Sequence, residues 1–361
     1  MGMISSALDR PTRTAAVIST EDEALTVVGT IAGIFSAAAG GTLATAEARL
    51  DLLSRSGLFG ISVPTEYGGI DVSNTVLADV CAVASAQSAT LGEILAAHFV
   101  VLEELRSHGT DGQRSGVFSA ALSGARLARA VPRRNGEEAE TLPLAASGLA
   151  WRLSGEALCT PCTRHADWLL VPTRNDGGKA ASLLLPTRID GLHYVANNCE
   201  PANGAPQSAE HVLFKDVLID GDALLHAPGE VAVPQSLGLL LGAARQLGAG
   251  QRSLGRVLDK ADGDIFEAGL LSARLAAAQA MVAEAGRAID AAQIGIADQH
   301  RTNAFLAATA ARAVAQEAAD HLRAAGGGAQ QEGLPSHLAE ALRQSGRLRR
   351  EAHRNPEDGE N

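Results

Sequence analysis

Aromatic side chains are scarce in this chain, 3% of 361 residues, which leaves little from which to build a stacking platform for nucleic-acid bases. Basic charge is short as well. The net charge is −11 at pH 7, and a protein so acidic repels phosphate backbones, so nucleic acid is not an expected partner. Four cysteines at this length make no disulfide framework and fit a reducing, cytoplasmic setting. Long hydrophobic runs are missing too. Stretches such as Leu237–Ala244 contain glycine and fall well short of a membrane span, so no membrane association is expected. The N-terminal MGMISSALDRPTRTAA has no continuous apolar core of the kind a secretory signal needs. Met1-Gly2 is followed by Met3-Ile4 and reads as an ordinary terminus rather than a myristoylation site.

What the chain has in quantity is small apolar residues. Hydrophobic side chains make up 46%, much of it alanine, a composition that suits closely packed helices. After a flexible leader over residues 1–20, Ser19-Thr20-Glu21-Asp22-Glu23 supplies a cap and an acidic first turn, and a helix is predicted to about Ala38. Further helices are predicted over Thr45–Ser56, Asn74–Ser88 and Thr90–Ser107. The last carries Leu91, Ile94, Leu95, His98, Leu102 and Leu105 on one broad face, which turns His98 inward.

From about Gly116 the texture changes. Val117–Ala121, Leu142–Leu144, Leu149–Leu153, Trp168–Val171, Ala181–Leu185, Leu192–Val195 and His211–Leu218 are short runs separated by turn residues, the spacing of a small antiparallel β-domain. Helical periodicity then returns. Leu271, Leu275, Ala278, Val282, Ala285 and Ile289 repeat at alternating steps of four and three, and Leu306, Ala310, Val314, Ala318 and Leu322 recur every four. Small residues on such seams permit close helix packing, as in a bundle. The predicted organisation is a leader (1–20), a helical domain (21–115), a β-domain (116–228), a helical bundle (229–350) and a disordered tail (351–361).

Chemistry-bearing side chains crowd into Trp151–Pro172, WRLSGEALCTPCTRHADWLLVP. It reads as a strand, a tight Ser154-Gly155 turn, an irregular passage and a second strand. Cys159, Cys162 and His165 fall in a C-x₂-C-x₂-H pattern of soft metal ligands. A single CxxC without a second pair is weak as a metal signature, and as a redox dithiol it lacks a helix N-terminus to lower a thiol pKa. The reading is therefore no metal, with small buried residues at these positions.

The order of helices, β-domain and bundle, together with GLFGISVPTEYGG at 57–69, resembles the acyl-CoA dehydrogenase superfamily. HFVVLEELR at 98–106, ADWLLVP at 166–172, HVLFKDVLI at 211–219 and LRAAGGG at 322–328 are most similar to its branch of flavin-dependent sulfur-acquisition oxidoreductases and dibenzothiophene monooxygenase. The resemblance covers roughly residues 20–345 and implies an α+β fold: an N-terminal helical domain, a middle antiparallel β-barrel domain and a C-terminal four-helix bundle. It implies FMN or FAD as cofactor, with reduced flavin and O₂ acting on a small organic substrate and a separate flavin reductase as partner. It further implies a homodimer or homotetramer, or a hetero-oligomer with a paralogue. Residue by residue, His98 takes the place of a catalytic histidine and Thr160 that of a hydroxyl residue which also contacts flavin. Trp168, Arg129, Gly326 and Gly327 fall at cofactor-binding positions.

The sequence also departs from that pattern. Relatives run Lys-Phe-Tyr-Ser-Thr-Gly before Ala-Asp-Trp, whereas this chain has Glu156-Ala-Leu-Cys-Thr-Pro-Cys162, and Pro161 removes a backbone donor. Asp259–Asp264 is short, with only Lys260 near the place of a phosphate-binding arginine. The general base of a true acyl-CoA dehydrogenase finds no counterpart, since Glu267, Glu284 and Glu317 all sit at ordinary solvent-face positions. A second reading follows: a flavin-free, non-catalytic homologue serving as a structural subunit of a paralogue complex.

Overall fold

The computed structural model describes residues 14–37, 46–131, 133–135, 138–175, 180–195, 210–225, 232–259, 264–295, 297–324 and 336–354. Gly326, Gly327, Cys199 and Lys260, together with most of the leader and residues 355–361 of the tail, lie outside them.

Among the described residues, five helices come first: α1 (Glu21–Ala37), α2 (Ala46–Arg55), α3 (Asn74–Gln87), α4 (Ala89–His108) and α5 (Asp111–Leu122). Their starts are chemically marked. The hydroxyls of Ser73 and Ser88 accept the backbone N–H of Val76 and Leu91, capping α3 and α4. Thr110 and Gln113 form a reciprocal capping box at the start of α5. That box explains one correction: Val117–Ala121, expected as a strand, is the end of α5, and the first strand begins at Leu127.

The sheet domain comprises β1 (Leu127–Val131), β2 (Arg133–Asn135), β3 (Glu138–Glu140), β4 (Leu142–Ser147), β5 (Ala150–Cys159), β6 (Trp168–Asn175), β7 (Ala180–Pro186), β8 (Leu192–Tyr194), β9 (Glu210–Ile219) and β10 (Leu224–Leu225). The strand order is β10-β7-β6-β1-β5-β9-β8. Most contacts are antiparallel, but β1 and β4 both run parallel to β6. They share one position in the sheet. β1 pairs Leu127–Arg129 with Trp168–Leu170, β4 pairs Leu142–Leu144 with Thr173–Asn175, and each also pairs with β5. The two are thus one interrupted strand, and the β2–β3 hairpin is an excursion from it. Ser154-Gly155, expected as a turn, is instead a register shift inside the continuous strand β5, with Gly155 at φ 133°. A side chain is disfavoured at that angle, and the shift lets β5 bend without ending.

The last helices are α6 (Val233–Leu258), α7 (Ile265–Ile294), α8 (Asp298–Ala324) and α9 (Ser336–Arg354). α9 thus continues through residues 351–354, beyond the boundary expected for the tail. α6 packs on α8, α3, α7 and α4, and α7 packs on α8, α9 and α3. The α7 seam is where periodicity put it, with Leu271, Leu275, Ala278, Val282, Ala285 and Ile289 all buried. On α8 the buried stripe is instead Ala304, Ala308, Ala311, Ala315, Ala318 and Leu322, while Leu306 is 61% exposed. Alanine wins this face because α6 and α7 approach too closely for larger side chains. α9 crosses α7 at Gly269 and Gly346, where an added Cβ would collide with the carbonyls of Leu342 and Ile265 respectively. By length and composition α7 is apolar enough to cross a membrane, and in this fold it is a bundle helix.

Candidate active site

The irregular passage after β5 is built by a displaced ladder bond. Ala130 and Cys159 are register partners, so the next pair out is Arg129 and Thr160. In an antiparallel ladder such a pair exchanges two backbone bonds. One is present: the Thr160 N–H donates to the Arg129 carbonyl at 3.0 Å. The other is rerouted. The chain turns at Pro161, the Thr160 carbonyl accepts the Thr163 hydroxyl at 2.6 Å, and the Thr160 Oγ1 accepts the Arg129 N–H at 3.2 Å instead. Thr160 is 6% exposed, and no hydrogen-bond acceptor receives its hydroxyl proton among the described residues. It offers one donor at the end of β5.

A 3₁₀ turn, Thr163–His165, follows, preceded by Cys162 at φ 63°. That left-handed angle is one that favours glycine. Cys159 and Cys162 are both buried, and burial pushes the Cys159 thiol well above its ordinary range, with Glu210 adding to the rise. Such a thiol is inert at neutral pH. Burial lowers the His165 pKa. Among the described residues no group of three or more His, Cys, Asp or Glu side chains gathers to hold a metal ion.

Arg129 was expected on grounds of sequence to meet a cofactor. Its side chain runs between α4 and α6, close to Val100 and Gly238: a Cβ added to Gly238 would lie 3.9 Å from the Arg129 Nη1 and 3.9 Å from a Val100 methyl. Its Nε is buried without a hydrogen-bond partner. Burial lowers its pKa, opposed by the charge of Glu104.

His98 and Trp168 both lie in the core. His98 is completely buried on α4. Its Nε2 meets the Phe59 carbonyl at 2.9 Å, and its Nδ1 accepts the Leu127 N–H at 3.2 Å. Burial holds its pKa down at about 4, against the raising effects of the Phe59 bond and Asp167. Both ring nitrogens thus meet backbone groups, and the ring joins the helical domain to β1. Trp168, expected at the cofactor, is 2% exposed in a core with Val63, Leu102, Val117 and Phe118. Its indole N–H has no partner there.

Other polar residues were not singled out by motif. Arg126 is buried and ties α2 to the sheet domain: its guanidinium reaches Asp51, Ser54 Oγ at 2.8 Å and the His165 carbonyl at 3.2 Å. Asp167 completes the clamp by accepting the Arg126 N–H at 2.9 Å. Glu103 on α4 is buried beside a small cavity lined by Ser62, Asp71, Asn74, Arg106 and Gln293. Burial pushes its carboxyl up to about 7, against Arg106 and the Gln293 and Ser107 hydrogen bonds, which lower it. No pattern in the sequence marks either residue, because their partners lie far along the chain. Glu284 and Glu317 are exposed, as expected of solvent-face residues.

A helical layer, a mixed sheet with its interrupted strand and a helical bundle define the acyl-CoA dehydrogenase fold, and residues 38–125 match the family model described as "Acyl-CoA dehydrogenase, N-terminal domain". Among solved structures, the FMN-bound dibenzothiophene monooxygenase TdsC of Paenibacillus sp. A11-2 is similar over 91% of this chain and 92% of its own, at 18% identity and TM-score 0.71. The methanesulfinate monooxygenase MsuC of Pseudomonas fluorescens is similar over 95% and 94%, at 17% identity and TM-score 0.68. Butyryl-CoA dehydrogenase of Megasphaera elsdenii is similar over 92% and 94%, at 16% identity and TM-score 0.68. Comparison with curated protein sequences gives no match.

Proposed function

We propose that this chain is a flavin-dependent oxidoreductase of the monooxygenase type, acting on a small organic substrate with O₂ and with FMN or FAD reduced by a separate flavin reductase. The observation that carries this reading is the Thr160 hydroxyl, fixed at the end of β5 by the Arg129 N–H and left with a proton to donate. A flavin ring edge is a row of carbonyl and nitrogen acceptors, so the donor fits the group. When bound, flavin supplies the electron transfer to O₂ that no side chain can perform. The protein's share is to orient the ring through Thr160 and to shield it from water with α4 and α6. The similar folds of FMN-bound TdsC and of the monooxygenase MsuC support the reading, which includes a cytoplasmic homo-oligomer.

One observation favours the alternative, a flavin-free structural subunit of a paralogue complex: the histidine expected to assist catalysis is tied up by two backbone bonds. Absorbance titration of the purified protein with FMN and FAD, oxidised and reduced, separates the two. A saturable flavin band supports the enzyme. No binding of either flavin, alone or with a co-expressed paralogue, establishes the subunit.

A further inference from the structure

Ser62, Asn74 and Glu103 come from three places in the chain: the link between the 3₁₀ turns Leu58–Gly60 and Thr65–Tyr67, the start of α3 and the later half of α4. They line one cavity, with about 10 Å³ of room for the centre of a water-sized molecule. Asp71, Arg106 and Gln293 complete its polar wall.

The hydrogen bonds around this cavity leave two oxygens over. The Asn74 side-chain amide donates to Asp290 Oδ1 at 2.6 Å and to Gln293 Oε1 at 2.8 Å, so both its protons are spent on α7. Asp290 Oδ1 also accepts the Asn74 backbone N–H at 2.9 Å. The amide cannot turn over, because its oxygen would then face that carboxylate. Asn74 is 2% exposed, and its Oδ1 has no hydrogen-bond partner among the described residues. The Ser62 Oγ is likewise enclosed and without one. Shutting an amide oxygen away from water with no donor is costly.

The charges around the cavity restrict what it can take. An anion would meet the carboxyls of Asp71 and Glu103. A cation would meet Arg106, whose Nη1 donates to Asp71 at 2.9 Å and lies 3.9 Å from the Glu103 carboxyl. The Glu103 oxygens already accept from Ser107 at 3.1 Å and from Gln293 at 2.9 Å. The fitting occupant is neutral, small and able both to donate and to accept.

We propose that this cavity binds one structural water, which donates to Asn74 Oδ1 and bonds the Ser62 hydroxyl. The water completes a polar chain from Ser62 through Asn74 and Gln293 to Glu103. That chain fastens the 3₁₀ link, α3 and α4 of the helical domain to α7 of the bundle.

Thermal unfolding of the full chain, wild type and Ser62→Ala, tests this. If the Ser62 hydroxyl is bridged, the substitution removes a partner of the water and Tm falls by roughly 2 °C. If the hydroxyl is an orphan, the same change deletes a buried unsatisfied group; a Tm that holds or rises overturns the proposal. Sodium, potassium and choline chloride at equal ionic strength should give one Tm. A rise specific to sodium or potassium makes the occupant a cation, and the water assignment is then wrong. A high-resolution crystal structure of the wild type should show one density peak at hydrogen-bond distance from both oxygens, about 2.7–3.2 Å. An empty cavity, or a Ser62 hydroxyl turned directly onto Asn74, refutes the site.

Discussion

Leu127 donates its backbone N–H to Nδ1 of His98 at 3.2 Å, and this one bond decides the state of the imidazole. With Nδ1 accepting, the proton sits on Nε2 and is donated to the Phe59 carbonyl at 2.9 Å. The ring is therefore neutral and spans three elements: the 3₁₀ turn at Leu58–Gly60, α4 and β1.

Stability should follow from that. His98 titrates at about 4 in the folded protein, below its ordinary 6.5, so between those values the unfolded chain holds the extra proton. Stability contributed by the neutral ring is complete above about pH 6.5 and is lost as pH falls towards 4, by an amount on the order of 3 kcal/mol. Urea unfolding at stepped pH should show this slope in the wild type and its loss in His98→Gln. His98→Ala should destabilise the protein by about 3 kcal/mol at neutral pH, since it leaves a buried N–H and carbonyl unpaired. Wild-type stability at neutral pH in the alanine variant would contradict the structural role.

Glu103 should act in the opposite direction. Its carboxyl titrates near 7, above its ordinary 4.5, so the folded protein holds the extra proton. The stability it contributes is present below about pH 4.5 and is lost as pH rises through 7, again on the order of 3 kcal/mol. The groups facing it are Arg106, Asp71, Ser107 and Gln293. Glu103→Gln should remove this slope, making the variant more stable relative to wild type at pH 8 than at pH 5. Parallel stability–pH curves for the two proteins would count against it.

Thr160 separates shape from hydrogen bonding. Thr160→Val keeps the volume but removes the acceptor for the Arg129 N–H and the donor proposed for flavin. It should cost about 1 kcal/mol in denaturant unfolding and weaken FMN or FAD binding at least tenfold. Thr160→Ser should retain both properties. Equal flavin affinity across the three proteins would remove Thr160 from the cofactor site.

The α7–α9 crossing should tolerate no side chain. Gly269→Ala places a methyl group against the Leu342 carbonyl, and overpacking of this kind costs about 2–3 kcal/mol. Hydrogen exchange should show faster opening of α9 than of α7. Exchange rates in α9 that match wild type would show that the crossing relaxes freely.

Much of the fold was legible because its signals are local. Ser73 and Ser88 mark helix starts by their own hydroxyls, and the unbroken apolar run Trp168–Val171 that opens β6 is carried by adjacent residues. The errors arose where distant contacts decide. Val117–Ala121 has strand-like composition, yet it lies downstream of the Thr110–Gln113 box and completes a helix. On α8 the larger residues suggested the seam, while the closeness of α6 selected alanine. The site was less legible. His98 sat at a suggestive position, but its partners are 39 and 29 residues away in sequence. Arg126 draws on Asp51, Ser54 and His165, which no motif joins.

Because β1 and β4 fill one strand position in two pieces, both registers against β5 and β6 are fixed without reference to how far the chain travels between them. The hairpin in the gap is therefore a place where length can vary at little cost to the sheet. It is the natural point for relatives to diverge by insertion, and for an engineer to graft a tag or a reporter loop without rebuilding the domain.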